Sequence, residues 1–341
     1  MVRLIMSQSV NQGITKKRDY ILDKPKIFYY ICMSHYLRFS IMNNFINISN
    51  FSADDAREYL ESIRWANGII CPHCNSKEYY KLTAKSNSKN PVREGVYKCK
   101  LCRKQFTVTV DTIFSDSHIP LNKWLIAVYL IASSKKGISA NQLHRMLGIT
   151  YKSAWFMTHR IRYAMEQTYT NKLTGTIEAD ETYIGGKSRR IGRQTGFENK
   201  TPVLALVQRG GYVRSFAMPL ISSITLKKAL TEHLDESAKL MTDELPAYKK
   251  VGRQFKSHQV VNHSKFEYVR GNVTTNTVEG FFGLLKRGVN GTFHHISKQH
   301  LQRYLAEFDF RYNLRKLKDE EITPLIIKGF EGKRLTYRGI N

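Results

Sequence analysis

Four cysteines in two matched pairs constrain this chain more than any other feature. Cys71-Pro-His-Cys74 and Cys99-Lys-Leu-Cys102 stand 24 residues apart. Each CxxC turns the backbone tightly, and two of them can deliver four thiolates to one tetrahedral ion. A single CxxC is compatible with redox chemistry. Two matched ones, with Lys98, Lys100, Arg103 and Lys104 around the second, predict a ribbon closed by one structural Zn²⁺ on Cys71, Cys74, Cys99 and Cys102. His73 lies between two ligands and is assigned to solvent or to a phosphate contact, not to the metal. Tyr97, Phe106 and the alternating residues 107–110 fit short strands. Five cysteines in 341 residues exclude a disulfide-dense scaffold, and Cys32 falls outside both pairs.

Charge narrows the partner. With 54 Lys+Arg against 28 Asp+Glu the formal charge is +26, which favours a polyanion. The apolar run at residues 27–33 is too short to cross a bilayer and makes a poor export signal, so no membrane partner is expected. Residues 1–41 read differently from the rest. They are assigned to a non-native or disordered extension, with Met42 as the expected start; a basic arm is the alternative.

Residues 52–115 are assigned to the ribbon and a preceding helix, and residues 120–168 to a helical region. Within it, apolar spacing predicts a helix from Leu121, Ser139 is positioned to cap a second one, and residues 148–150 turn the chain into a third from Tyr151 to Met165. Helix, glycine-containing turn and helix together read as helix-turn-helix. The third helix offers Lys152, Ser153, His159, Arg160 and Arg162 as a groove or phosphate face, while Trp155, Phe156 and Ile161 read as core. An ordinary three-helix connector is the other reading.

The largest domain is placed at 173–315, with 316–341 as a tail. Three strands, a helix over 223–240, a strand ending before Asp243, a short helix, a strand at 258–261 and a long helix opening near Thr275 form a ribonuclease-H-like α/β order. On the long helix, Val278, Phe281, Phe282, Leu285 and Val289 form an apolar stripe, and Asn276, Glu279, Gly283, Lys286 and Asn290 a polar one. Glu279 and Lys286, seven residues apart, share that polar face about 10 Å apart along the axis. Asp180, Asp243 and Glu279 are thus three carboxylates carried by a strand, a strand end and a helix. Grouping them in so basic a chain makes sense when hard divalent cations neutralise them.

Glu178-Ala179-Asp180-Glu181-Thr182-Tyr183, Met241-Thr242-Asp243-Glu244 and Asn276-Thr277-Val278-Glu279-Gly280-Phe281-Phe282 resemble the DDE motifs of cut-and-paste insertion-sequence transposases, with 35 residues between Asp243 and Glu279. More closely, the chain resembles the IS1595 group, the ISXO2-like transposases, through Leu285-Lys286-Arg287-Gly288, Gly291-Thr292-Phe293-His294-His295, His300 to Leu305 and Phe310-Arg311-Tyr312-Asn313. The group also carries an N-terminal zinc ribbon. The resemblance spans roughly residues 50 to 315.

It implies a metal-dependent enzyme that cuts and joins DNA at insertion-sequence ends. Asp180 would bridge two Mg²⁺ (or Mn²⁺) ions, Asp243 and Glu279 would complete the two sides, and Lys286 would orient a phosphate. Lys187, Arg189, Arg190, Lys256 and Arg287 are weaker candidates for neutralising the DNA backbone, beside Lys152, Arg160 and Arg162. The implied partners are double-stranded DNA with terminal inverted repeats, a target DNA and further copies of the chain, in prokaryotic cytoplasm beside the nucleoid. Asn276 rivals Glu279 as third ligand. Glu181 and Glu244 neighbour proposed ligands, but alternation along a strand sends adjacent side chains to opposite faces, so one ligand is expected from each pair. Two other classes share these features: a metal nuclease that does not join, and a DNA-binding remnant that keeps only the ribbon and helical region.

Overall fold

The computed structural model describes residues 48–83, 92–186 and 200–337, all within the compact unit Met42–Asn341. The 1–41 extension, Cys32, Lys187, Arg189 and Arg190 lie outside the described residues.

Helix α1 (Ala53–Arg64) opens on a capping box in which Ser52 and Asp55 satisfy each other's backbone N–H groups. The ribbon follows as three short antiparallel strands in the order β1 (Tyr79–Lys81), β2 (Tyr97–Cys99), β3 (Gln105–Phe106). Trp65 closes its far side, edge-on to Tyr97 and Phe106 at 5.2 and 6.1 Å. The strand expected over 107–110 is instead a turn. Its carbonyls go to side chains, with Arg64 donating to Val108 O and Val110 O and Thr112 Oγ1 to Thr109 O, which leaves the β ladder without partners there.

The helical region is α2 (Leu121–Ser133), α3 (Ala140–Leu147) and α4 (Tyr151–Met165). Ser139 caps α3, Gly148 ends it in the left-handed region at φ 58°, and Thr150 caps α4. The expected basic face of α4 is largely absent. Arg160 is buried and donates to the carbonyls of Ile113, Ser115 and Leu335, while Arg162 is buried in an ion pair with Glu307 at 2.6 Å. His159 is buried too, among Trp155, His300 and Tyr304. These side chains hold α4 inside the molecule; of the five residues expected on that face only Lys152, on the first turn, is exposed.

The segment expected to be a tail completes the burial of α4, which residues 300–307 begin. Residues 319–328 form α9 (Asp319–Lys328), which packs on α1, α2 and α4, and Phe330 meets Phe114 edge-on at 4.9 Å.

The second half is built on one five-stranded sheet. Its strands are β4 (Thr176–Gly185), β5 (Lys200–Gln208), β6 (Val213–Ala217), β7 (Lys239–Thr242) and β8 (Ser257–Val260), in the order β6-β5-β4-β7-β8. β4, β5 and β6 run antiparallel, while β7 and β8 continue parallel to β4. One face buries Ile177, Ala179, Leu204 and Leu206 under α5 (Ser223–His233) and α6 (Pro246–Gly252). The other buries Ile184, Val203, Ala205 and Val207 under α7 (Asn276–Gly288) and α8 (Leu301–Asn313). This mixed sheet with helices on both faces is the ribonuclease-H-like architecture. α5 stops at His233 rather than near residue 240, because Leu234 leaves the helix to bridge Leu173. A small hairpin, β9 (Val269–Arg270) and β10 (Val273–Thr274), leads the chain into α7. The absent side chain of Gly288 lets Phe308 of α8 press on α7, since a Cβ there would lie 2.3 Å from the ring.

Candidate functional site

The ribbon's four cysteines are free thiols whose sulfurs converge, each within 4.8 Å of the others. Two pairs, Cys71–Cys102 and Cys74–Cys99, are 3.7 and 3.6 Å apart. Tetrahedral bonds of ~2.3 Å to Zn²⁺ place ligand sulfurs ~3.8 Å apart, so this donor set fits one zinc ion. The Cys102 backbone N–H, 3.5 Å from Cys99 Sγ, is the chief reason that thiol is drawn down to about 6, toward the thiolate a metal needs. His73 is exposed and 3.3 Å from Gln105 O, away from this set.

The second cluster arises from sheet register. β4 and β7 pair Glu178 with Met241; carrying that parallel register two residues further puts Asp180 level with Asp243, just past the end of β7. Adjacent strands are ~4.8 Å apart, so the two carboxylates meet where the ladder stops. Asp180, Glu181 and Asp243 each offer an oxygen within 4.8 Å of the others. Among the described residues none of the three forms an ion pair with arginine or lysine. Burial, helped by Asp243 and Glu279, raises Asp180 to about 6 against the Glu181 N–H. Burial also raises Glu181 to about 7, against the Tyr248 hydroxyl that donates to it at 2.8 Å, and raises Asp243. All-oxygen donors lacking a counter-charge fit a hard divalent cation.

The neighbouring acids resolve differently. Glu244 accepts the backbone N–H groups of His263 and Ser264 at 2.9 and 3.0 Å and so leaves Asp243 to the cluster. Glu181 does not leave. Its strand face is opposite to that of Asp180, yet its longer side chain brings an oxygen to the same place. Side-chain position thus separates residues 243 and 244 but brings both 180 and 181 to the cluster.

Glu279 stands at the rim of this cluster, on the first turn of α7. Its Oε1 accepts from Thr275 Oγ1 at 2.8 Å and is 3.7 Å from His263 Nε2. It lies outside the tight group, but its charge is felt at Asp180. Asn276 is exposed one residue into the helix. Lys286 and Arg287 are exposed two turns further on. With Lys136, Asn290 and Thr292 they line an open cleft of about 510 Å³. Lys256 is exposed at some remove in sequence, before β8.

Sequence reasoning missed Glu178. It is fully buried, pairs with Arg209 at 2.6 Å and accepts the second and third N–H groups of α7, those of Thr277 and Val278. Its signal was its place on the same strand face as Asp180.

A ribonuclease-H-like sheet that gathers acids where its parallel strand β7 ends has the arrangement of a phosphoryl-transfer enzyme by class. Comparison with known proteins agrees. The ISXO2-like transposase domain matches residues 172–313, and the transposase zinc-ribbon domain of the same group matches residues 52–105. A protein of transposable element ISH50 from Halobacterium salinarum is 27% identical over 295 residues, covering 80% of this chain and 95% of that protein. A transposase-like protein from Haemophilus influenzae is 26% identical over 118 residues, 34% of this chain and 94% of its own length. The chain belongs to the ISXO2-like, or IS1595, transposase family: it is a DNA-binding enzyme of the DDE type with an N-terminal zinc ribbon. No helix among the described residues is long and apolar enough to cross a membrane.

Proposed function

We propose that this enzyme cuts and rejoins DNA at the ends of an insertion element, using Asp180, Asp243 and Glu279 as its metal-holding carboxylates and Lys286 as a phosphate contact. One observation carries the reading: half-buried acids converge at the end of the sheet with no described basic partner, in a chain of formal charge +26. Two Mg²⁺ or Mn²⁺ ions held there would activate water for attack on a phosphodiester and stabilise the departing 3′-oxygen, which can then serve as nucleophile toward target DNA. The chain's own part is positional. Asp180 projects from the rigid centre of the sheet, Asp243 from the adjoining strand end, and Thr275 with His263 steadies Glu279 at the rim. Lys286 lies on the same helix about 10 Å further along, within reach of a phosphate flanking the reacting bond.

Lys152, Lys256, Lys286 and Arg287 supply exposed charge for backbone phosphates, a role that Lys187, Arg189 and Arg190 share in this reading. Arg160 and Arg162 do not belong to it. One Zn²⁺ on the four cysteines holds the ribbon. Transposition joins two element ends to one target, so the working unit is a homo-oligomer on inverted-repeat DNA, acting at the nucleoid. A second reading, with Glu181 in place of Glu279 as third ligand, draws on the position of Glu181 within the tight cluster.

Labelled element ends and a supercoiled target, incubated with Mg²⁺ and wild-type protein or the variants Asp180→Ala, Asp243→Ala, Glu279→Ala and Glu181→Gln, test both readings. Joined products that vanish in the first three variants support the proposal. Loss in Glu181→Gln with survival in Glu279→Ala transfers the third position to Glu181. Cutting without joining identifies a nuclease, and end binding without either reaction identifies a remnant.

A further inference from the structure

Helix α7 carries Glu279, and a local cap reaches only its first residue, where Thr274 Oγ1 accepts the N–H of Asn276 at 3.1 Å. Thr275 occupies the N-cap position and is a residue type that ordinarily accepts an N–H from the first turn, yet it makes no such bond. Its hydroxyl instead donates to Glu279 Oε1 at 2.8 Å and meets His263 Nε2 at 3.2 Å. The next two N–H groups are capped from another element. Glu178 of β4 accepts Thr277 N and Val278 N on Oε2 at 2.7 and 3.0 Å, and Thr277 Oγ1 on Oε1 at 2.9 Å. Arg209, in the β5–β6 turn, donates to the same Oε1 at 2.6 Å and also to Asn272 O and Thr274 O, which fastens the hairpin leading into the helix.

We infer that Glu178 is a positioning residue for Glu279: by capping α7 from β4 it fixes the helix against the strand that carries Asp180 and releases Thr275 to orient the Glu279 carboxylate. The inference rests on the reading of Glu279 as a metal-holding group. The physical grounds are specific. A carboxylate at a helix N-terminus meets the positive end of the macrodipole. Four donors and full burial leave Glu178 one orientation. Glu178 and Asp180 lie two residues apart on one strand face, so a displacement of α7 at its anchor is transmitted directly to the distance between Asp180 and Glu279. Oriented outer partners of metal ligands are worth ~10- to 100-fold in metal affinity.

The experiment uses the full-length, zinc-loaded chain and compares wild type with Glu178→Gln, Arg209→Lys, Thr275→Val and Glu279→Gln. Mn²⁺ affinity is measured by calorimetry, and the Mn²⁺ concentration for half-maximal end cleavage is measured in parallel. Circular dichroism and zinc content establish that each variant is folded. Glu178→Gln is expected to weaken Mn²⁺ binding and raise the half-maximal concentration ~10-fold or more, with Thr275→Val and Arg209→Lys shifting both the same way by smaller factors. A folded Glu178→Gln protein with wild-type Mn²⁺ affinity and midpoint overturns the inference. If that variant does not fold, wild-type values in both Arg209→Lys and Thr275→Val overturn it. Glu279→Gln separates the two levels. Unchanged Mn²⁺ binding and joining in that variant removes the underlying reading, whereas their loss alongside a wild-type Glu178→Gln removes the positioning role alone.

Discussion

Glu178 and Asp180 stand two residues apart on the same face of β4, and their surroundings are opposite. Glu178 has Arg209 at 2.6 Å, two backbone N–H groups and a hydroxyl. Asp180 has Asp243 and Glu181 as nearest ionisable company and no described arginine or lysine beside it. The first arrangement repeats at Glu307, fully buried between Arg162 and Arg311; burial there works against ionisation, but the two guanidinium groups outweigh it and hold the acid below its ordinary value. Both paired sites join helices to neighbouring elements. The unpaired site gathers like charges at the end of a ladder, tied to α6 by the neutral Tyr248 hydroxyl on Glu181 and by no ion pair. An acid whose charge is balanced within the chain belongs to the architecture, and one whose charge is left over belongs to the chemistry.

The comparison can be broken most sharply at its unpaired side. Asp180→Asn and Asp243→Asn are expected to reduce DNA joining by ~10³-fold or more while the protein stays folded, as read by gel assay beside a denaturant melt. At the paired side, Glu307→Gln leaves Arg162 buried with its charge unopposed. Chemical denaturation should register a loss of ~3–5 kcal/mol. A loss below 1 kcal/mol would show that Arg162 finds another partner.

The cysteine cluster is a third case, in which four sulfurs converge with the spacing of one tetrahedral ion. Chelation should release one Zn²⁺ per chain, disorder the ribbon and shift the emission of Trp65, which packs on Tyr97 and Phe106. Fluorescence unchanged on complete zinc removal would show a ribbon that folds on its apolar contacts alone.

Acidity sharpens the contrast in the metal-free protein. Asp180 and Glu181 have folded-state values raised to about 6 and 7 from ordinary values of 3.8 and 4.5. A raised acid binds its proton more tightly when folded, so its stabilising contribution is complete below about 4 and is lost as pH rises through about 7. Divalent ions compete with those protons, so the Mg²⁺-induced rise in Tm should be small at pH 5 and larger at pH 8. An equal shift at both pH values would contradict the assignment. The smallest effect is at the surface. Lys286→Gln should lower the slope of log affinity against log salt by about 1 with Tm unchanged, whereas Arg160→Gln should lower Tm and leave the slope alone.

What the sequence revealed follows the range of the interactions involved. The CxxC spacing is local, and so were the cap Ser139, the turn at residues 148–150 and the apolar stripe of α7; all could be read one segment at a time. Strand alternation placed Asp180 on its face, and the five-strand order emerged from apolar runs and turns. Arg160 and Arg162 were misassigned because a basic residue on a helix reads as exposed unless its partner is known, and their partners are Glu307 and the carbonyls of Ile113, Ser115 and Leu335, far away in sequence. The segment after residue 316 was too short and too charged to read as part of a core. Glu178 escaped notice for the same reason as the arginines: its role is a contact across 99 residues with Thr277.

The most direct test measures one pair of variants in two ways. Asp180→Asn and Glu307→Gln are each followed by Tm without metal and by Mg²⁺-dependent joining of labelled ends. The account expects Asp180→Asn to melt at or above the wild-type temperature and to join no DNA. Glu307→Gln should melt well below wild type and, at a temperature where it is folded, still join ends. An Asp180→Asn protein that is destabilised yet still joins DNA would contradict the division of labour between paired and unpaired acids.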